Sequence, residues 1–136
     1  MERGEVWWAL LDGRSPVVLL SGAQESEIRA MQIVAPATAE ERRGFLLLSG
    51  EQATEPDALK AAADADARAV GVEVEFGAEE GLPEPGVVRV ALPQAGNVFC
   101  TWLITLTPDY LVERSGSLSP AKLDRLTNAL RLAGIE

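Results

Sequence analysis

The feature that most constrains the fold of this chain is a series of short apolar runs separated by turn residues. Each run spans five to nine residues and is rich in leucine, β-branched or aromatic side chains. Glycine, proline, aspartate and asparagine lie between the runs, where chains commonly turn. Runs of this length favour β-strands over helices. We predict strands at residues 5–11, 16–21, 30–35, 44–48, 71–76, 87–92 and 98–106.

Two segments have the composition of helices instead. Residues 54–70 are dominated by alanine, Thr54 and Asp57 have the spacing of a capping box, and a glycine follows as a stop signal. Near the end of the chain, Ser119 and Pro120 are typical of a helix start, and leucines recur downstream at helical spacing. We therefore predict a short surface helix in the middle of the chain and a packed helix at its carboxyl end.

Length and composition indicate one mainly β domain. With 136 residues, of which 47% are hydrophobic and 24% charged, the chain can bury one compact core but not two ordinary ones. Short strands, mostly connected by hairpins, with one terminal helix are typical of a small curved β-barrel. We predict a single domain over residues 1–136, a β-barrel with a carboxy-terminal helix and an inserted short helix.

The residue types exclude several kinds of catalytic site. The chain has no histidine and one cysteine, Cys100, which lies in an apolar run typical of a buried strand. Ser-His-Asp and Cys-His catalysis are therefore excluded, as are an internal disulfide and zinc sites built from cysteine or histidine. We expect neither a metal nor a cofactor.

The charge of the chain is concentrated in its middle. The net charge of −9 argues against a general attraction to nucleic acid or anionic lipid. Residues 49–85 hold 2 basic and 10 acidic side chains, whereas residues 86–136 hold 5 basic and 4 acidic ones. The first residues lack the apolar core of a signal peptide, and no run approaches the roughly 20 apolar residues that span a bilayer. We expect a cytoplasmic protein with no membrane partner.

Three stretches resemble one family of small bacterial toxins. The start, RGEVWWALL followed by RSPVVLLSG, is similar to the first two strands of that family, and VAPAT is similar to the end of its third strand. GLPEPGVVRV and LITLTPDYLVERSGSLSPAKLDRLTNALRLAG are similar to its second half. Because these stretches keep the family's order over roughly two thirds of the chain, the chain resembles a divergent, actinobacterial-like member of the MazF/PemK family.

The resemblance implies a fold, an activity and partners. Members of the family are homodimers with the SH3-like barrel of the MazF/PemK/CcdB type, and they cleave single-stranded RNA at short motifs without metal. A cognate antitoxin protein inhibits them by threading along the RNA-binding groove. By this resemblance we expect a type II toxin that is an mRNA interferase, with single-stranded RNA, an antitoxin and a second copy of the chain as its partners.

The same resemblance indicates catalytic residues. In the family, the chemistry is carried by an arginine directly before the proline of the second strand and a threonine after the third strand. Thr38 matches the threonine, but Ser15 precedes Pro16, and the arginine lies one place earlier, at Arg14. Adjacent strand residues face opposite sides, so Arg14 replaces the missing arginine only if the turn at Gly13 rotates it inward. We expect Arg14 and Thr38 to assist transesterification, with Ser15 as a hydrogen-bond donor.

Three further arginines are candidates for RNA binding, namely Arg29, Arg42 and Arg43. The alternative for the last two is a solvated surface, because acidic residues directly precede them in the sequence. Arg14 has a similar alternative as a solvated turn residue, and Thr38 as a local partner of the backbone.

Two departures from the family pattern favour a different class of function. An acidic insertion occupies about residues 49–70, and Thr101 and Trp102 stand where the family carries a polar Asp-Gln pair. The rival hypothesis is a catalytically silent protein that acts by protein binding, as the related CcdB toxins act on DNA gyrase. Ser15 and the negative charge favour this rival, whereas Thr38 favours the nuclease. The insertion itself is interpreted as a solvated surface, or as an acidic screen over the RNA groove.

Overall fold

The computed structural model describes residues 1–21, 27–40, 43, 45–64, 69–92 and 103–136. Over these residues the chain forms eight strands and two α-helices, which confirms the predicted mainly β fold with an inserted and a terminal helix. The strands are β1 (Glu5–Leu10), β2 (Arg14–Leu19), β3 (Ile28–Gln32), β4 (Phe45–Ser49), β5 (Ala69–Phe76), β6 (Gly86–Ala91), β7 (Leu103–Leu106) and β8 (Leu111–Ser117). The helices are α1 (Pro56–Asp64) and α2 (Pro120–Leu132).

The larger sheet is antiparallel and follows the strand order β7-β3-β2-β1-β8. β1 and β2 form a hairpin in which Trp8 lies opposite Pro16 and Leu10 lies opposite Arg14. The turn between them uses Gly13 at φ 102, a conformation that glycine adopts without strain. This tight turn places the first residue of β2 directly beside the end of β1.

The smaller sheet has the order β4-β5-β6 and contains a parallel pair, β4 with β5. Parallel neighbours need a crossover connection, and α1 provides it, so this pair is an exception to the hairpins that we predicted. The helix is described over Pro56–Asp64, and the last two residues of the predicted range belong to β5, which begins at Ala69. A 3₁₀ turn at Gln52–Thr54 precedes it.

β8 is a strand that the sequence did not predict. Its residues, LVERSGS, are largely exposed and lack a regular apolar alternation. The strand forms because it pairs with β1, and the pairing contains register shifts between Val6 and Trp7 and between Trp8 and Ala9. Of the strand predicted at 98–106, β7 is the described part, and Cys100 lies outside the described residues.

The core lies on both faces of the larger sheet. Val18 and Leu20 belong to one cluster, which includes Leu126 of α2, whereas Val17 and Leu19 belong to a second cluster on the opposite face. All five side chains are buried. The continuous apolar run of β2 therefore reflects burial of both faces, as predicted.

The two sheets meet where Val34 and Val87 exchange backbone hydrogen bonds of 2.8 and 2.7 Å. The strands that the structure describes do not pair into a closed ring, so the predicted barrel takes the form of two sheets joined at this bridge. Neither α1 nor α2 has the length and apolar character of a membrane-crossing helix.

Candidate functional site

The start of β2 separates two of the candidate catalytic residues. Arg14 and Pro16 lie on the face of β2 that carries Trp8 of the neighbouring strand, because side chains alternate along a strand. Ser15 lies opposite Ala9 and shares its face with buried residues of the second core cluster. Ser15, expected as a further hydrogen-bond donor, therefore lies on the face of β2 opposite to that of Arg14.

Arg14 reaches two neighbours on its face of the sheet. Its Nη2 lies 2.5 Å from Oε2 of Glu113 on β8, and its guanidinium carbon lies 5.4 Å from the centroid of the Trp8 ring. Both charged side chains are exposed, by 52% for Arg14 and 65% for Glu113, so this ion pair is screened by water and weak. A phosphate group can therefore compete for the guanidinium.

A cleft opens beside the Trp8 ring, and we call it the Trp8 cleft. It has a volume of about 230 Å³ and contains polar and apolar lining atoms. Its lining residues are Trp8, Pro16, Ile33, Val34, Ala35 and the segment from Leu82 to Gly86. A neighbouring cavity of about 250 Å³ is lined by Trp8, Arg14 and Glu113. Since Trp8 borders both, the Arg14 guanidinium lies at the edge of the cleft.

Thr38 lies on the loop that follows the cleft wall, and we call residues 35–38 the Thr38 loop. Thr38 is exposed. The loop is held against the smaller sheet, because the amide of Ala37 donates to Oε2 of Glu73 at 3.3 Å and Arg89 donates to the carbonyl of Ala35 at 3.4 Å. Arg89 also lies 3.3 Å from Oε2 of Glu73. Sequence reasoning missed both residues of this ion pair.

Of the candidate RNA-binding arginines, the structure describes Arg29 and Arg43. Arg29 is exposed, but its carbonyl accepts the amide of Leu20, six residues beyond Arg14 along the β2 direction. At the rise of an extended chain this separation is about 20 Å. Arg43 is exposed after the Thr38 loop, and Arg42 lies outside the described residues. The structure therefore places Arg29 at the far end of the sheet from the cleft.

The acidic insertion lies on the other face of the smaller sheet. Glu51 pairs with Arg125 of α2 at 2.9 Å, and the side chain of Asn128 donates to the carbonyl of Ala53 at 3.0 Å. Ala53 is buried in the core cluster to which the alternating valines of β5 contribute, whereas Glu73 faces the Thr38 loop on the opposite side. The described residues of the insertion therefore do not lie over the loop, contrary to the interpretation as a screen.

This arrangement offers hydrogen-bond donors of two kinds. A guanidinium and a hydroxyl can both stabilise negative charge on phosphoryl oxygens. The indole of Trp8 provides an aromatic surface that borders both cavities. Within the described ranges, no three acidic or thiol groups converge in the way that metal ligands do.

The comparisons with known proteins bear on the fold. No protein-family model matches the sequence, and no curated protein matches it either. The structure is similar to that of an endoribonuclease in complex with its cognate antitoxin from a Mycobacterial species, with a TM-score of 0.52 and 17% identity over 98% of this chain and 91% of that one. It is also similar to the Mycobacterium tuberculosis toxin MazF-mt6, with a TM-score of 0.56 and 17% identity over 96% of each chain. The chain therefore has the fold of the MazF toxins along nearly its whole length.

Proposed function

We propose that this chain is the toxin of a type II toxin-antitoxin pair, a cytoplasmic endoribonuclease that cleaves single-stranded RNA without metal. The observation that carries the proposal is the similarity over 98% of the chain to an endoribonuclease in complex with its cognate antitoxin. The position of Thr38, exposed on a loop beside the Trp8 cleft, supports it. An antitoxin protein and a second copy of the chain are the proposed protein partners.

The proposed reaction is an attack of a ribose 2′-hydroxyl on the adjacent phosphate. The new oxygen–phosphorus bond closes a 2′,3′-cyclic phosphate on the upstream fragment, and the bond to the 5′ oxygen breaks. The proton of the 2′-hydroxyl is lost to the surroundings, and the leaving 5′ oxygen gains one. Negative charge grows on the phosphoryl oxygens during this step. Arg14 and Thr38 are proposed to donate hydrogen bonds to those oxygens, which lowers the barrier.

Arg14 must exchange its partner for this role. In the structure its guanidinium pairs with Glu113 and lies over the Trp8 ring, at the edge of the cleft. An exposed ion pair contributes about 0 to 1 kcal/mol, so a phosphate can replace the carboxylate at low cost. The aromatic ring then lies beside the bound phosphate, where a neighbouring base can stack on it.

The test is incubation of purified, antitoxin-free protein with a long single-stranded RNA in EDTA. We expect cuts at a recurring short motif, and a fall in kcat/KM of about 100-fold in Thr38→Ala, the usual effect of losing one donor to a developing oxyanion. Arg14→Ala is expected to cause a loss of about tenfold or more. Thr105→Ala and Arg131→Ala, which alter exposed residues elsewhere, are the matched controls. RNA that stays intact at high protein excess contradicts the proposal.

A second candidate function is binding to a protein target without catalysis. The specific observation that favours it is the combination of Ser15 on the buried side of β2 with Arg14 already paired to Glu113. Under this alternative, the purified protein leaves RNA intact yet inhibits growth when it is produced in cells, and the growth defect persists in Thr38→Ala. The nuclease proposal expects the opposite, namely that Thr38→Ala relieves the growth defect.

A further inference from the structure

Glu73 and Arg89 form an ion pair on the face of the smaller sheet that lies under the Thr38 loop. They are direct partners across β5 and β6, and Nη2 of Arg89 lies 3.3 Å from Oε2 of Glu73. The side chain of Glu73 is only 7% exposed and that of Arg89 is 22% exposed. Their neighbours along the two strands, by contrast, are mainly valines.

Each member of the pair also contacts the backbone of the Thr38 loop. Arg89 donates to the carbonyl of Ala35 at 3.4 Å, and Glu73 accepts from the amide of Ala37 at 3.3 Å. The two contacts therefore lie on either side of Pro36, whose ring fixes its own φ and leaves it without an amide donor. Immediately before them, the bridge between Val34 and Val87 fixes the start of the loop. The contact between Ala37 and Glu73 lies one residue before Thr38.

A buried ion pair of this kind adds little to the free energy of unfolding. Removing two charges from water is unfavourable, and their mutual attraction offsets this cost only when the geometry is good and further hydrogen bonds are made. Here Oε2 of Glu73 and Nη2 of Arg89, the two atoms that form the ion pair, also contact the loop backbone, so the pair defines a geometry. An apolar pair at these positions would pack against the valines but would offer no contacts to the carbonyl of Ala35 or the amide of Ala37.

We infer that Glu73 and Arg89 are positioning residues that fix the Thr38 loop, so that the Thr38 hydroxyl meets the scissile phosphate in the orientation the reaction needs. This inference rests on the proposed nuclease function. Arginine suits the role because its planar guanidinium holds its N–H groups in fixed directions, and here Nη2 donates to both a carboxylate and a carbonyl. Lysine at the same position carries the charge but presents it as a single point, so Arg89→Lys is expected to restore only part of the effect.

The first test measures hydrogen exchange of the loop amides in the full chain, with no RNA present. In Arg89→Met we expect exchange at Ala37 and Thr38 to rise by about tenfold, because the variant loses the contact to the Ala35 carbonyl and the ion pair that holds Glu73 beside the Ala37 amide. Amides of β1 and β2 are expected to stay within about twofold of the native chain. Arg89→Lys is expected to give an intermediate rate.

The chain offers a closely matched control pair. Lys122 lies 3.0 Å from Oε2 of Glu80, with side-chain exposures of 20% and 2%, so its burial and chemistry resemble those of the first pair. Glu80 follows β5 in the chain, in the 3₁₀ turn Ala78–Glu80, and does not belong to the Thr38 loop. Lys122→Met is therefore expected to leave exchange at Ala37 and Thr38 within about twofold of the native rate. Equal effects of Lys122→Met and Arg89→Met on the loop would overturn the inference, because both would then act through general stability.

The second test is the cleavage rate. Arg89→Met is expected to lower kcat by about tenfold or more and to change KM by less than about threefold, as for a group that aligns a catalytic residue. In the Thr38→Ala background the same substitution is expected to cause no further loss. An equal loss in both backgrounds, or loop exchange that does not change, contradicts the positioning role. If the native chain cleaves no RNA while the loop exchange rises as expected, the nuclease proposal fails and the anchoring of the loop stands.

Discussion

The guanidinium of Arg14 and the carboxylate of Glu113 lie 2.5 Å apart, although 99 positions separate them in the chain. The strand order explains their proximity, because β1 lies between β2 and β8 and pairs with both. The cation therefore meets an acidic partner at the edge of the Trp8 cleft, at the place where the proposed function requires a phosphate.

Neutralising that partner is expected to strengthen RNA binding. In Glu113→Gln, binding of a phosphate no longer breaks the ion pair between Arg14 and residue 113. The substitution also removes a negative charge next to the proposed phosphate. Since exposed pairs contribute up to about 1 kcal/mol, the affinity for a single-stranded RNA should rise about twofold to fivefold at low salt. The measurement is a binding titration in the Thr38→Ala background, in which cleavage is expected to be about 100-fold slower. An unchanged or weaker affinity would argue against a phosphate at Arg14.

The acidic insertion provides the control for this experiment. Glu55 and Asp57 are exposed beside the start of α1, and the described part of the insertion packs against α2 rather than the Thr38 loop. Their charges are screened over a distance of about 8 to 10 Å in ordinary buffers. Glu55→Gln with Asp57→Asn is therefore expected to leave the RNA affinity unchanged in the same titration. A gain equal to that of Glu113→Gln would restore the interpretation of the insertion as a screen.

Two adjacent tryptophans allow a paired test of the cleft. Trp8 lines it, whereas Trp7 packs against the second core cluster and donates to Glu5 at 2.9 Å. Loss of a stacked base costs about 1 to 3 kcal/mol, so Trp8→Leu should weaken RNA binding by about tenfold or more. Trp7→Leu should mainly lower the free energy of unfolding and leave the affinity of the folded protein near that of the native chain. Equal affinities of the two variants would contradict base stacking at Trp8.

The ion pair under the start of α2 predicts a pH dependence of stability. Burial lowers the pKa of Lys122, but its hydrogen bonds to Glu80 and Glu79 and their negative charges outweigh this, so the pKa is raised above 10.5. A lysine with a raised pKa in the folded state stabilises the fold fully below its unfolded pKa and loses this contribution as the pH rises through the folded value. The difference in unfolding free energy between the native chain and Lys122→Met should therefore shrink above pH 10.5. Urea titrations across that range measure it, and a constant difference would contradict the assignment.

The strands that the sequence predicted correctly are those whose own pattern of apolar residues indicates which faces are buried. β2 is a continuous apolar run because both of its faces are buried, and the alternation in β5 places valines in the core and Glu73 on the face toward the Thr38 loop. β8 was not predicted, because its polar residues form a strand only through pairing with β1. The parallel pairing of β4 with β5 depends on where α1 packs, which no local pattern specifies.

The candidate site was predictable only in part for the same reason. Thr38 and Arg14 were indicated by resemblance to a family motif. The residues of β1 that Arg14 and Ser15 face depend on the register of the hairpin, which places Ser15 opposite Ala9. Glu73 and Arg89 lie 16 positions apart and meet only because β5 and β6 pair at that register. Their contacts to the Thr38 loop also require the Val34–Val87 bridge between the sheets, which local sequence does not encode.

The most direct test of the proposed nuclease function is to determine the chemical ends of the RNA fragments made by the purified chain in EDTA. We expect 2′,3′-cyclic phosphates on the upstream fragments and 5′-hydroxyls on the downstream ones, at a recurring short motif, with Thr38→Ala yielding about 100-fold less product per unit time. Fragments with 5′-phosphates, cleavage that requires added divalent metal, or product that forms equally fast in Thr38→Ala would contradict it.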